Sequence, residues 1–269
     1  MGIIISSVIQ KGGVGKSTFA ISASTFFALK NYKTLLVDID SQADTTEALL
    51  GDEEMPSLKE ILMDGMSLDQ VLTKTKFPSL ENLDILPANI SLAKLEKFFI
   101  IEPDGVYFLR DLITDNGLRE KYDYIVLDCP PSLGMITTNA LVASDFIVIP
   151  LEPRKFSAKG IKDLEESIQQ VNKRSNPNVS ILGAFINRYL SGRKIYEHNE
   201  TDIRGHFGDL LFETVVRDNA QIEEAVLYKT PVFLYSPKSN GAQDLAALCN
   251  EMLDRLKTRT LIPLATTGV

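Results

Sequence analysis

The stretch from Ser6 to Ala20 reads SSVIQKGGVGKSTFA and decides the fold. It continues an apolar run that begins at Ile3, and it places three glycines and a lysine directly before Ser17 and Thr18. A glycine-rich turn between a buried strand and a helix lets backbone N–H groups converge on phosphate oxygens, and the helix N-terminus adds positive potential. The predicted nucleotide-binding residues of this loop are Gly12, Gly13, Val14, Gly15, Lys16, Ser17 and Thr18.

Two members of this loop have predicted chemical roles. The Lys16 ammonium can reach the β- and γ-phosphates, and the Ser17 hydroxyl is placed to bind Mg²⁺. The loop also departs from the standard pattern G-x-x-x-x-G-K-[ST], because Gln10 stands where the first glycine belongs and an additional lysine, Lys11, follows it.

The composition is that of a soluble globular protein. The chain has 269 residues, of which 44% are hydrophobic and 24% charged, enough for one large α/β domain. Two cysteines, Cys129 and Cys249, cannot form a disulfide scaffold and lack metal-ligand spacing, which favours a reducing cytoplasm. The net charge of −8 argues against a nucleic-acid binder that uses its whole surface, but a local basic patch is compatible with it.

Short apolar runs that alternate with amphipathic segments predict an α/β fold with a single doubly wound, mostly parallel sheet and helices on both faces. The predicted strands are Ile3–Ile9, Thr34–Ile39, Leu83–Pro87, Tyr124–Asp128, Phe146–Leu151, Ser180–Ile186, Leu211–Val216 and Val232–Tyr235. The predicted helices are Lys16–Leu29, Thr45–Leu50, Leu58–Leu62, Leu68–Thr73, Tyr107–Lys121, Met135–Ala143, Ser157–Arg174, Ile195–Phe207, Gln221–Leu227 and Gly241–Lys257. We expect one domain over residues 1–260 and a frayed tail over 261–269.

Three acidic residues at predicted strand ends are candidate site residues. Asp38 and Asp40 end a buried strand at positions i and i+2, so both point to one side of the sheet. One carboxylate can hold a Mg²⁺-bound water while Asp40 orients the attacking water. Asp128 ends the run YIVLD before two prolines, a Walker-B pattern that predicts a carboxylate near the metal. Asp44 and Glu47 fit a helix capping box and are predicted to be structural.

These motifs together resemble the ParA family of DNA-partition ATPases, within the deviant Walker-A group of P-loop NTPases that includes MinD-type proteins. The resemblance runs from Ile3 to about Leu256 and rests on the segments KGGVGKST, VDIDSQA, YDYIVLDCPPSLGMITTNAL, IPLEPRKFSAKGI and ETVVRDNAQIEEA. It implies a weak ATPase that uses ATP and Mg²⁺. It further implies that Lys11 is the signature lysine, which reaches the nucleotide of a second subunit and so links ATP to formation of a homodimer.

The resemblance also carries site residues for the base. Asn187 matches a position at which the family reads adenine, and an amide offers both a donor and an acceptor to a purine edge. Val216, Arg217 and Asp218 match the segment beside the base. The family commonly has Ile-Pro-Arg-Asn where this chain has Val216-Arg217-Asp218-Asn219, so stacking of Arg217 on adenine is the least supported of these expectations.

For partners, the resemblance implies nonspecific DNA and a ParB-type centromere-binding protein, with a cytoplasmic, nucleoid-associated location. Arg193 and Lys194 are the predicted DNA-binding residues, because they follow the turn signal Ser191-Gly192 in the carboxyl-terminal third, where the family has its DNA-binding basic residues. Each contact of such a residue with a phosphate contributes a salt-sensitive, sequence-independent term to binding.

Three other functions fit parts of the sequence. A positioning ATPase for a protein cargo would share every motif above. A MinD-like membrane ATPase needs a basic amphipathic helix at the carboxyl end, and although Arg255, Lys257 and Arg259 are basic, Pro263 interrupts that pattern, so no stable membrane anchoring is expected. A redox relative such as nitrogenase iron protein is disfavoured because Cys129 and Cys249 do not match the ligand pair it needs.

Overall fold

A computed structural model describes residues 1–52, 55–155 and 157–258 of the chain. Its strands are β1 (Ile3–Ser7), β2 (Thr34–Asp38), β3 (Thr73–Lys74), β4 (Leu83–Leu86), β5 (Tyr124–Asp128), β6 (Phe146–Leu151), β7 (Ser180–Tyr189) and β8 (Leu211–Arg217). They form one eight-stranded sheet in the order β3-β4-β2-β5-β1-β6-β7-β8. All neighbours are parallel except β3, which pairs antiparallel with β4 at one edge.

The helices cover both faces of this sheet. They are α1 (Lys16–Leu29), α2 (Asp44–Leu50), α3 (Leu58–Asp64), α4 (Leu68–Val71), α5 (Ala93–Ile101), α6 (Phe108–Asp115), α7 (Leu118–Lys121), α8 (Met135–Ala143), α9 (Ala158–Arg174), α10 (Lys194–Phe207), α11 (Ala220–Leu227), α12 (Val232–Tyr235) and α13 (Asn240–Thr258). The mostly parallel, doubly wound sheet predicted from the sequence is therefore confirmed.

Two hydrophobic cores form because successive strand residues point to opposite faces. Along β5, Ile125 and Leu127 belong to one core and Val126 to the other. The first core contains residues of α5, α6, α8 and α9, whereas the second contains residues of α1 and α13. Strands that are buried on both faces read as continuous apolar runs, which is why the central strands are visible in the sequence.

One predicted strand is wrong. Val232–Tyr235 forms the short helix α12 and does not pair with the sheet. The carbonyl oxygen of Pro231 accepts hydrogen bonds from the backbone N–H groups of Leu234 and Tyr235, which closes a helical turn. Periodicity alone cannot distinguish a buried strand from a buried helical turn in so short an apolar run.

The helix predictions between residues 58 and 121 need three corrections. The predicted helix Leu68–Thr73 ends at Val71, because Thr73 belongs to β3. The predicted helix Tyr107–Lys121 is split into α6 and α7 by Gly117, whose φ of 59° is left-handed. Helix α5 was not predicted at all.

The remaining expectations concern a membrane anchor and the carboxyl-terminal tail. No helix within the described ranges has both the length and the apolar character needed to cross a bilayer. The tail expected over residues 261–269 lies outside the described residues.

Candidate nucleotide-binding site

The phosphate loop connects β1 to α1 at the carboxyl edge of the sheet. Gly13 and Gly15 have φ values of 67° and 100°, a conformation that favours glycine. A β-carbon at Gly15 would also overlap the side-chain amide of Asn187. Gln10 is not among the described residues with positive φ, so its backbone does not require the glycine of the standard pattern.

The Lys16 side chain is buried and is hydrogen-bonded to the backbone of the phosphate loop. Its side chain is buried, and Nζ donates a hydrogen bond to the Lys11 carbonyl oxygen at 3.2 Å. Burial lowers the pKa of Lys16, while Asp128 and Asp40 act in the opposite direction. The ammonium therefore lies near both carboxylates, at the position where phosphate oxygens would provide further negative charge.

Asp38 stabilises the start of α2. Its Oδ2 accepts hydrogen bonds from the Thr46 backbone N–H at 2.9 Å and the Thr46 hydroxyl at 2.7 Å, and its Oδ1 accepts one from the Asp40 N–H at 3.1 Å. The predicted capping box at Asp44 is wrong, because Asp44 is the first helical residue and Ala43, with a φ of 58°, precedes it. Asp38 thus accepts three hydrogen bonds from the protein, and its role in holding a Mg²⁺-bound water stays a prediction.

Asp128 is the carboxylate best placed for a cation. Its Oδ2 accepts a hydrogen bond from the Thr45 hydroxyl at 2.5 Å, whereas its buried Oδ1 has no hydrogen-bond partner among the described residues. Burial raises the pKa of Asp128 to about 6, although the Thr45 and Ser17 hydroxyls and Lys16 favour the charged form.

An orphaned buried oxygen close to the Ser17 hydroxyl fits a Mg²⁺ site, because Mg²⁺ prefers oxygen ligands and keeps several waters. Asp38 and Asp128 are neighbours across the β2–β5 pairing, and each is almost completely buried. Burial and the charge of Asp128 raise the pKa of Asp38 well above its usual range. A divalent cation beside this pair would offset the cost of two adjacent buried carboxylates.

Asp40 is partly exposed at the same edge. Its Oδ1 accepts a hydrogen bond from the Gln42 N–H at 3.0 Å, and its charge acts on both Lys16 and Asp128. The structure therefore brings together Lys16, Asp40 and Asp128, which lie on three separate segments of the chain. Asp40 keeps an accessible oxygen, as a residue that orients water would need.

Lys11 lies beside the end of β6 and the start of α9. It lines a cleft together with Val14, Glu152, Gly160 and Ile161, so the cleft is formed by the loop, the end of β6 and the start of α9. The two lysines of the loop thus face different surroundings, with Lys16 buried among the carboxylates and Lys11 at a surface cleft.

A second cleft follows the loop toward β7 and β8. It is lined by Thr18, Asn187, Arg188, Arg217, Asp218, Asn219, Ile222, Glu223 and Val226. Asn187 donates a hydrogen bond from Nδ2 to the Val14 carbonyl oxygen at 2.8 Å, so the predicted base-reading amide also anchors the loop. Arg188, whose φ is 53°, contacts the Gly13 carbonyl oxygen through Nη1 at 3.3 Å.

The remaining predicted base-side residues differ in their access to this cleft. Arg217 lies at the rim, where Nε and Nη2 donate hydrogen bonds to the two carboxylate oxygens of Asp244 at 2.8 and 2.7 Å. This pairing competes with the predicted stacking of Arg217 on a base. Val216 is fully buried in the second core and is not among the residues that line the cleft.

Arg193 and Lys194 are exposed where α10 begins, after the left-handed turn at Gly192. Neither forms an ion pair with any residue in the described ranges. By contrast, Arg204 pairs with Glu200, Arg217 with Asp244, and Lys229 with Glu47. Among these basic residues, Arg193 and Lys194 are available to an anionic partner.

Three contributing residues were missed by sequence reasoning: Thr45, Thr46 and Arg188. Thr45 and Thr46 were read only as parts of a helix, although their hydroxyls bond to Asp128 and Asp38. Arg188 follows Asn187 directly and was not predicted to contact the loop. The signal that the sequence offers for the threonines is a pair of adjacent hydroxyl residues shortly after the strand-end Asp38.

Comparisons with known proteins identify the family of the chain. Residues 2–181 match a family model described as an AAA domain. The chain is 32% identical over 258 residues to the chromosome partitioning protein ParA of Caulobacter vibrioides, covering 95% of this chain and 96% of that protein. It is 32% identical to the sporulation initiation inhibitor protein Soj of Bacillus subtilis, covering 94% and 98%.

A solved structure supports the same assignment. Cobyrinic acid a,c-diamide synthase from Mycobacterium smegmatis, with bound ADP and magnesium, superposes with a TM-score of 0.82 at 26% identity, covering 99% of this chain and 100% of that chain. The 32% identity to the ParA and Soj proteins, which extends over nearly the whole length of the chain, places it in the ParA family of partition ATPases.

Proposed function

We propose that this protein is an ATP-dependent switch ATPase for partition of a plasmid or chromosome. ATP and Mg²⁺ join two copies into a homodimer, the dimer binds DNA without sequence preference, and a ParB-type centromere-binding protein stimulates hydrolysis and release. The observation that carries this proposal is the convergence of Lys16, Asp40 and Asp128 at one sheet edge, with Lys11 at a neighbouring surface cleft.

Nucleotide binding is assigned to the loop and the base-side cleft. Backbone N–H groups of the loop and the Lys16 ammonium bind the phosphates. Ser17 and Asp128 would hold Mg²⁺, which neutralises phosphate charge when it is bound. Asn187, already fixed by its bond to Val14, presents its remaining amide atoms to a purine edge. The M. smegmatis structure with ADP and magnesium supports this choice of ligands.

Hydrolysis is assigned to positioning and charge. Asp40 orients the attacking water, because Asp40 is partly exposed, its carboxylate accepts a hydrogen bond from the Gln42 N–H, and its backbone N–H donates to Asp38. Lys16 stabilises negative charge on the transferred phosphoryl group, and Lys11 of a second copy adds a further positive charge. A site that is complete only with a second copy explains why nucleotide state and dimerisation would be linked.

DNA binding is assigned to Arg193 and Lys194. Both are exposed and make no ion pair within the described residues. A dimer presents each of them twice, and this doubling would make DNA affinity depend on ATP. Because the chain carries a net charge of −8, binding should be weak and should be lost at moderate salt concentration.

A gel-shift assay on the purified protein tests this function. Duplex DNA should shift with ATP, and should not shift with ADP or without nucleotide, at low salt. The shift should weaken at a second, higher salt concentration. If ATP produces no shift at low salt, the DNA step is wrong, and positioning of a protein cargo or attachment to a membrane becomes the better account.

A further inference from the structure

The outer face of α5 carries an apolar and basic surface that the proposed function does not use. A short 3₁₀ turn, Ile90–Leu92, leads directly into α5, so the chain is helical from Ile90 to Ile101. Ile90 and Ile101 are 69% and 78% exposed, and Lys94 and Lys97 are exposed between them. We call Ile90, Lys94, Lys97 and Ile101 the α5 stripe.

The opposite face of α5 is firmly packed. Leu92, Leu95 and Phe99 are buried in the first core. The Glu96 carboxylate accepts hydrogen bonds from the backbone N–H groups of Met135 at 2.7 Å and Ile136 at 3.2 Å, at the N-terminus of α8. The buried face therefore holds α5 in place, and the exposed isoleucines of the α5 stripe are not needed to pack this helix against the first core.

The spacing of the α5 stripe suits one partner helix. Its members are separated by four, three and four residues, which is the spacing of the apolar seam in a two-stranded coiled coil. Ile100 adds a flanking apolar residue that is 65% exposed. Single exposed isoleucines are ordinary on protein surfaces, but three on one side of a short helix form a patch.

The charge of the α5 stripe selects the partner. Lys94 and Lys97 form no ion pair with any residue that the structure describes, although the chain has an excess of acidic residues. Lysines in the middle of an apolar seam favour a partner with carboxylates opposite them. We infer that the α5 stripe is a docking site for an acidic amphipathic helix of a partner protein.

The position of the α5 stripe links such docking to the nucleotide site. Ile90 lines a cleft together with Gln42, Thr46 and Glu47, the segment that follows Asp40. A helix seated on α5 would therefore lie beside the residues that hold Asp40 and Asp38. The inference deepens the proposed function by giving the partner a surface, but it is tested by binding alone.

The test uses a synthetic helical peptide with leucines at its outer seam positions and glutamates at its inner ones. Fluorescence anisotropy of the labelled peptide with the full chain should show saturable binding. The double variant Lys94→Glu, Lys97→Glu should weaken binding about tenfold or more, since attraction becomes repulsion at two positions. A peptide with lysines in place of its glutamates should recover binding to that variant.

Lys159→Glu, Lys162→Glu is the matched control, because both lysines are exposed on α9 with the same spacing and the same change in net charge. It should bind the acidic peptide about as well as the parent. Circular dichroism and ATP binding should be unchanged in the α5 variant, which separates lost docking from lost folding.

Several results would overturn the inference. One is that the parent protein fails to bind the peptide. Another is that charge reversal at Lys94 and Lys97 leaves peptide binding unchanged. Anionic phospholipid vesicles or duplex DNA bind through these two lysines while the peptide does not, which assigns the stripe to a membrane or to nucleic acid. Failure of peptide binding with an intact ATP-dependent DNA shift would reject the docking site and leave the proposed function standing.

Discussion

Asp38 and Asp128 are neighbouring carboxylates in the centre of the sheet, yet their hydrogen bonds give them different roles. Asp38 has both oxygens engaged by α2 and by the Asp40 backbone, so it determines where the segment after β2 lies. Asp128 keeps one buried oxygen that has no hydrogen-bond partner among the residues that the structure describes. At the residue scale, Asp38 therefore fixes the position of the backbone around the site, whereas Asp128 has an oxygen available for a cation.

Lys16→Ala should abolish nucleotide binding. The variant removes the buried ammonium that lies near Asp128 and Asp40, and the phosphates would then approach two carboxylates without a compensating side-chain cation. Isothermal titration calorimetry with ATP and Mg²⁺ measures this directly. Binding as tight as in the parent would show that the loop is not the phosphate site.

Asp40→Ala should still bind ATP but lose hydrolysis. A positioned acid–base or water-orienting group commonly contributes about 10²–10⁴-fold to a rate. Asp40→Asn keeps an acceptor for the Gln42 N–H and should lose hydrolysis as well, which separates chemistry from local folding. Phosphate release assays at saturating ATP provide the rates, and turnover at the parent rate in both variants would make Asp40 a structural acid only.

At the scale of the elements, a strand or helix could be predicted from the sequence when the pattern of its apolar residues matched the pattern of its burial. Strands β1, β2 and β5 are visible because both of their faces are buried and each contains at least three consecutive apolar residues. Helix α5 is not visible, since Ile100 and Ile101 make its exposed face apolar as well as its buried one and remove the contrast of an amphipathic helix.

The sequence predicted the site residues that directly follow a strand. It did not predict contacts between residues that follow different strands. The phosphate loop, Asp38, Asp40 and Asp128 each follow an apolar run. The bond from Thr45 to Asp128 joins residues 83 positions apart and depends on β2 lying beside β5. A single sequence does not specify strand order, so this contact could be found only in three dimensions.

The capping box of α3 makes a prediction about pH. Glu60 accepts hydrogen bonds from the Ser57 N–H and hydroxyl, each at 2.7 Å. Burial alone would raise the pKa of Glu60, but these bonds outweigh it and lower the pKa to about 2. Because the folded pKa lies below the unfolded value of about 4.3, the stabilisation is complete above that pH and is lost as the pH falls toward 2.

Glu60→Gln should therefore reduce the free energy of unfolding by about 1 kcal/mol at neutral pH. The difference between parent and variant should shrink when urea unfolding is repeated near pH 3, where much of the advantage of the charged carboxylate is lost. An equal difference at both pH values would mean that the charge of Glu60 does not contribute to the cap.

At the scale of the whole molecule, an acidic protein is proposed to bind DNA through a small basic site. Arg193→Ala, Lys194→Ala should weaken binding of DNA in the presence of ATP and leave ATP binding unchanged. Each lost phosphate contact should reduce the salt slope of binding by roughly 1. Arg204→Ala is the control, because Arg204 is already paired with Glu200. If both variants shift DNA like the parent, the DNA surface lies elsewhere.

The central claim is that ATP joins two copies of this chain through Lys11. Light scattering should give the mass of a monomer without nucleotide and with ADP, and the mass of a dimer with ATP and Mg²⁺. Lys11→Ala should still bind ADP, since Lys16 and the loop backbone remain, but should stay a monomer with ATP. A parent protein that remains monomeric with ATP, or a Lys11→Ala variant that dimerises as the parent does, would contradict the account.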